Sequence, residues 1–204
     1  MLLSLKMAFN ASMKALILLG TLKRKGLSNT ETLAEYVAEE MKKKDIDVEI
    51  VKLVDHVIAP GTYTDMGAGD HWPVIYEKVI GADILIFATP IWWDNHSSET
   101  QRVIERLDEI HDEILDGKTS KLEGKLGGVI ITGDSDGAQH ITGSIFNFLN
   151  GLGVAIPPFA AITDLSAKNG KTEEPTRADL VQRFKKDHSK EIATMIEQML
   201  TLKR

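Results

Sequence analysis

The chain has 204 residues, 43% of them hydrophobic, and a formal net charge of −6, which is enough for one well-buried domain and short for two. That acidity argues against sequence-independent nucleic-acid binding, which needs a basic face to displace counterions from phosphates. No cysteine occurs, so disulfides, thiolate metal sites, iron–sulfur clusters and cysteine nucleophiles are excluded together, and a reducing cytoplasm suits the composition.

The opening "MLLSLKMAFNAS" is apolar but interrupted by Lys6, and is shorter than a secretory signal with its flanks. Residues 1–12 read as an extension before a second plausible start at Met13, with a single domain over 13–204. No run has the apolar length that spans a bilayer, so no membrane partner is expected.

From Lys14 onward, short apolar runs rich in β-branched residues alternate with segments of helical period. This pattern predicts an α/β fold, a doubly wound parallel sheet with helices on both faces. Ala15 to Leu19 is the first predicted strand. A helix follows with Leu33, Tyr36, Val37 and Met41 on one face and Lys42, Lys43 and Lys44 at its C-terminal end, where the macrodipole favours cations. Val48 to Val54 is the second strand. His56 to Trp72, "HVIAPGTYTDMGAGDHW", is long for a βα connection, and such loops are usually functional or disordered.

A helix around Val74 to Ile80 leads to the third strand, Ile84 to Ala88. The next helix places Val103, Ile104, Leu107, Ile110 and Ile114 on one face, with Ser98 and Gln101 in capping-box register. Gly128 to Ile131 is the fourth strand, and a helix covers roughly Gln139 to Leu149. Val154 to Ile162 is the fifth strand, and its Pro157 and Pro158 suit an edge or a strand end. "SAKNGKTEEPT", Ser166 to Thr176, reads as a mobile connection. The last helix starts at Thr176 with Asp179 three residues on, and buries Leu180, Phe184, Ile192, Met195, Ile196 and Met199.

In a sheet of this type ligands bind beyond the carboxyl ends of the strands, at the switch in strand order. Three loops fall there. "GTLKRKGLSNT", Gly20 to Thr30, brings hydroxyls and an amide to a helix N-terminus, where free N–H groups and the dipole favour an anion such as phosphate. Capping by Ser28 and Glu31, with the cations as a solvated loop, would equally account for it. The spacing of Gly20 and Gly26, followed by Leu27 and Ser28, fails the NTPase loop pattern, and no G-x-G-x-x-G occurs. "ATPIWWDNHSS", Ala88 to Ser98, puts two tryptophans after a buried strand, fitting a flat aromatic guest, a partner surface or packing under the next helix. "TGDSDGAQH", Thr132 to His140, is a Gly- and Asp-rich turn able to offer amides to a ring edge, though turn chemistry alone explains its composition.

With these loops in view, the chain resembles the flavodoxin-like NAD(P)H-dependent FMN reductases, in the branch related to iron–sulfur flavoproteins, from Met13 to about Leu165. "GTLKRKGLSNT", "ADILIFATPIWW" with the later "ERLDEI", and "GDSDGAQH" carry the resemblance. It implies a five-stranded sheet of order 2-1-3-4-5 and FMN, with phosphate at Thr21, Arg24, Ser28, Asn29 and Thr30. Lys23 and Lys25 are near enough to leave the identity of the cation open. Isoalloxazine contacts are implied from Pro90, Ile91, Trp92, Trp93 and Asn95, and from Thr132, Gly133, Asp134 and Gly137. The cluster cysteines of iron–sulfur relatives are absent from "APGTYTDMGAGDHW".

The expected activity is NADPH- or NADH-dependent reduction of quinones or related electron-poor aromatics by hydride transfer through the flavin N5. His96 and His140 are candidates for protonating the acceptor, or ordinary loop histidines. His56, His71, His111 and His188 show no metal-ligand spacing. An electron carrier of flavodoxin type and a flavin-free interaction module are the rival readings. A homodimer or higher homo-oligomer whose partner helps wall the site is expected from the resemblance and the aromatic loop.

Overall fold

A computed structural model of the chain describes residues 12–134, 136–165 and 175–203. The extension through residue 11, and residues 166–174 of the connection before the last helix, lie outside the described residues.

Five parallel strands lie side by side in the order β2-β1-β3-β4-β5. They are β1 (Lys14–Leu19), β2 (Asp47–Lys52), β3 (Ile84–Pro90), β4 (Leu126–Thr132) and β5 (Ala161–Asp164). The helices are α1 (Asn29–Lys42), α2 (Trp72–Gly81), α3 (Ser98–Arg106), α4 (Asp108–Leu115), α5 (Ala138–Gly151) and α6 (Arg177–Leu202), and a short 3-10 turn, Leu53–Asp55, ends β2. This is the flavodoxin-like doubly wound arrangement.

Strand alternation divides the core into two layers. Ala15, Ile17, Leu19, Ile84, Ile86 and Ala88 pack with α1 and α6, while Leu16, Leu18, Leu85 and Phe87 pack with α2, α3, α4 and α5. The central strands are therefore buried on both faces, which is why they read in sequence as unbroken apolar runs. The capping box on α6 forms as the spacing predicts: Thr176 accepts from the Asp179 N–H, and Asp179 accepts from the Thr176 N–H.

Three elements differ from expectation. The fifth strand is only Ala161–Asp164. Ala155 makes an isolated bridge to Leu126, after which Pro157 and Pro158 supply no N–H to a ladder and Phe159 turns to φ 60°. The third predicted helix is two, broken at Leu107, and the new N-terminus of α4 carries Asp108 and Glu109, where carboxylates are favoured. The N-cap of α3 is Ser97 rather than Ser98, accepting from the Thr100 N–H at 3.3 Å. At α1, Ser28 caps the Glu31 N–H, but the Glu31 side chain turns away to Lys52 at 2.9 Å, so only half the box forms.

Candidate functional site

The parallel register sets the ends of β1, β3, β4 and β5 along one sheet edge, and the three loops meet there. Leaving β1, the Gly20 N–H donates to the Ala88 carbonyl at 2.7 Å. The chain then bulges out and returns to α1. Thr21 and Ser28 come together with their hydroxyls 2.9 Å apart, both buried. Thr30, in the first turn of α1, turns its hydroxyl to that of Thr132, 2.7 Å away at the end of β4. Three buried hydroxyls are thus gathered at the N-terminus of a 14-residue helix, where first-turn N–H groups have no intrahelical acceptor. Asn29 is exposed beside them.

The cations of this loop divide. Lys23 is committed to the Leu27 carbonyl at 2.9 Å, whereas Arg24 and Lys25 extend into solvent. Lys52 braces the loop from the end of β2, donating to the Arg24 carbonyl at 3.3 Å and pairing with Glu31.

The second loop is a tight turn. Trp92 and Asn95 exchange both backbone hydrogen bonds, at 2.8 and 2.9 Å, and Trp93 and Asp94 between them have φ of 47° and 62°. Two successive left-handed residues are what a type I′ turn requires, and neither is glycine here, so the turn carries strain. Asn95 spends its side-chain amide on the Trp93 carbonyl at 3.0 Å. Trp93 is 94% exposed and Trp92 51%, so neither is packed under the following helix.

The third loop locks onto the second. The Ile91 N–H donates to the Thr132 carbonyl at 2.9 Å, and Gly133 donates to the Asp164 carbonyl at 3.0 Å. A Cβ on Gly133 would lie 2.8 Å from the Ile91 side chain. One on Gly137, at φ +108°, would lie 2.6 Å from the Asp94 Cα. Both positions need glycine for close approach. Asp134 is exposed and Pro90 half-buried at the same edge. His96 stands at the margin, bonded to Gln101 at 2.6 Å, and His140 is exposed on the first turn of α5.

Sequence reasoning missed two supports of this edge. Arg106 and Asp70 are a fully buried pair, 0% and 1% exposed, at 2.6 Å. The Arg106 guanidinium also donates to the carbonyls of Ala59 (2.8 Å), Tyr63 (2.8 Å) and Thr64 (3.0 Å) and lies over the Trp72 ring. Asp70 accepts from the N–H groups of Ala59, Met66 and Trp72. Burial raises the Asp70 pKa, but the bonds from Arg106 and these N–H groups outweigh it and bring it down to about 2. The long loop after β2 is therefore wrapped around one guanidinium. The signal was an arginine three residues after Val103 on the apolar face of the helix, a register where only a paired cation survives.

The second support is Asp164 at the end of β5, which binds Arg183 at 2.8 Å and His188 at 3.2 Å from α6. A shallow hollow of about 340 Å³ lies far from these loops, at the amino ends of β1 and β2 beside Lys14, Asp47, Glu49 and Lys78. Donor chemistry locates the site at the three loops.

A 2-1-3-4-5 parallel sheet with a hydroxyl-lined helix start and two conjoined loops at its switch point defines a flavodoxin-like FMN-binding redox protein. The residues present suit the group: three buried hydroxyls, first-turn amides and a solvent-facing arginine would serve the phosphate, and the exposed indoles of Trp92 and Trp93 would serve the ring. The chain belongs to the family described as NADPH-dependent FMN reductase, which matches residues 13–165. It is similar to an 8-demethyl-8-aminoriboflavin-5′-phosphate synthase of Streptomyces davaonensis, 31% identical over 92% of this chain and 79% of that protein. It is also 37% identical to part of a protein named divalent metal cation transporter MntH in Mycobacterium bovis, over 72% of this chain but only 22% of the relative's length. Among solved structures it resembles RosB with bound 8-demethyl-8-formylriboflavin-5′-phosphate, with a TM-score of 0.74 and 30% identity over 95% of this chain and 79% of that one.

Proposed function

We propose that the chain is an FMN-dependent NAD(P)H oxidoreductase that delivers reducing equivalents to small electron-poor aromatic acceptors, quinones among them. The observation that carries the reading is the buried hydroxyl set at the start of α1, joined by the Thr30–Thr132 bond to the loops that flank the ring position. When bound, FMN supplies the hydride chemistry at N5. Thr21, Ser28, Asn29 and Thr30 hold the phosphate, and Arg24, the loop's solvent-facing arginine, adds charge. Ile91, the Trp92–Asn95 turn, Gly133, Asp134 and Gly137 orient the ring and exclude water from its edge. The likeness to RosB supports a site of this shape, because that protein holds a riboflavin 5′-phosphate derivative.

Replacing Ser28 and Asn29 together by alanine should weaken FMN far more than riboflavin, since each charge-assisted bond to the phosphate is worth roughly 1.5–3 kcal/mol. Equal loss for both flavins would remove the phosphate assignment.

An electron-carrier role is favoured by a different observation. The Trp92–Asn95 turn presents two exposed indoles beside the site, which is the surface a protein redox partner would use. Anaerobic mixing separates the two. A reductase loses its oxidised-flavin absorbance with NADPH or NADH and regains it with a benzoquinone. A carrier resists both nucleotides and is reduced only by a one-electron donor.

A further inference from the structure

We infer that Thr132 is a positioning residue that couples recognition of the flavin phosphate to the loops around the ring, acting through the hydroxyl of Thr30. The inference rests on the FMN reading above and adds to it a residue that acts at second hand.

Thr132 is where the three loops bond to one another. Thr132 is 3% exposed, and its hydroxyl meets that of Thr30, itself 2% exposed, at 2.7 Å. Its carbonyl accepts from the Ile91 N–H at 2.9 Å, tying in the second loop. The next residue, Gly133, is fastened to Asp164 and pressed against Ile91. The Thr132 hydroxyl is therefore committed to Thr30.

A hydroxyl has one proton to give. Between Thr30 and Thr132 alone, either can be the donor. A phosphate at the helix start is an acceptor only, so a Thr30 hydroxyl that answers it must donate to it. The bond to Thr132 can then persist only if Thr132 donates. Phosphate thus selects one polarity for the chain, Thr132 to Thr30 to phosphate, and each bond polarises the next. A residue without a hydroxyl at 132 leaves the Thr30 oxygen buried without its donor and makes it a weaker donor to the anion.

The test is a flavin-fluorescence titration of the full-length apoprotein with FMN and, separately, with riboflavin. Thr132→Val should weaken FMN about tenfold and riboflavin less than about twofold, the loss expected when one hydrogen bond serving a charged group is removed. Thr132→Ser, which keeps the hydroxyl, should restore FMN affinity to within about threefold. On a Thr30→Val background, Thr132→Val should add less than about twofold, because the relay is already cut. If the valine variant does not fold, Thr132→Ala carries the same comparison, and the ratio of the two affinities is insensitive to a general loss of stability.

Equal weakening of both flavins, no weakening of FMN, or a full additional loss on the Thr30→Val background would overturn the coupling while leaving the FMN site standing. A wild-type protein that binds neither flavin, or binds both equally, would overturn the phosphate site and the coupling together.

Discussion

Replacing Arg106 by methionine is expected to lower stability by about 3–5 kcal/mol, the cost of stripping one partner from a buried ion pair. The structure supplies the terms. Both charged groups are out of solvent, and the guanidinium satisfies Asp70 together with the carbonyls of Ala59, Tyr63 and Thr64. Methionine fills much of the same volume over Trp72 but donates nothing. Three carbonyls then lose their donor at about 1 kcal/mol each, and the Asp70 carboxylate keeps its three N–H bonds but no cation. Water entering an opened loop recovers part of this, which holds the total within the quoted range rather than above it.

Urea unfolding followed by far-UV circular dichroism measures the loss. In a chain of this size it corresponds to a Tm lower by roughly 6–20 °C. Hydrogen exchange should accelerate over residues 56–71 and stay slow in α1 and α6, which share no bond with the clamp. Adding Asp70→Asn to Arg106→Met should cost far less than the two single losses summed, because the groups act as one unit. A change below about 1 kcal/mol, or unaltered exchange in the loop, would refute the view that this arginine organises it.

Gly137→Ala should destabilise by at least about 1 kcal/mol, since it puts a Cβ at φ +108° and 2.6 Å from the Asp94 Cα; thermal unfolding that matches wild type would refute the contact between the second and third loops. His188 gives a pH dependence. The bond to Asp164 raises its pKa, burial opposes, and Glu191 adds to the rise. The charged imidazole is thus favoured in the fold, so its contribution is full below about pH 6.5 and lost as pH rises through the folded value. Urea melts of wild type and His188→Asn should therefore differ most at acidic pH and converge toward pH 9, and a constant difference would count against the pairing. Asp70 has the opposite sign: its folded pKa of about 2 lies below the usual 3.8, so its contribution is present above about pH 4 and lost in the acid range. Arg106→Met should flatten that acid limb in the same melts.

The sheet was legible because β1, β3 and β4 are buried on both faces and announce themselves as apolar runs. Where the reading slipped, pattern and geometry part company. Val103, Leu107 and Ile110 all reach one core cluster, so the helical period runs on across a backbone break that hydrophobicity does not register. The fifth strand slipped for the converse reason: Val154 and Ile156 are apolar and inward, but a ladder needs N–H groups that two prolines lack. A cap misplaced by one residue, Ser98 for Ser97, is the ordinary error of judging a helix end from spacing alone.

The same division governs the site. Anion recognition at a helix start is local, so Thr21, Ser28, Asn29 and Thr30 could be found within one short stretch. The supports are not local. Arg106 reaches back 36 to Asp70 and 47 to Ala59, and Thr30 pairs with Thr132 across 102 positions. No property of an isolated threonine marks it for such a role. Strand order does: once β4 lies between β3 and β5, parallel register places Pro90, Thr132 and Asp164 in one row. Thr132, the last residue of β4, then bonds to the loop after β3 through its carbonyl, its neighbour Gly133 bonds to Asp164 at the end of β5, and the Thr132 side chain is left to reach the helix start.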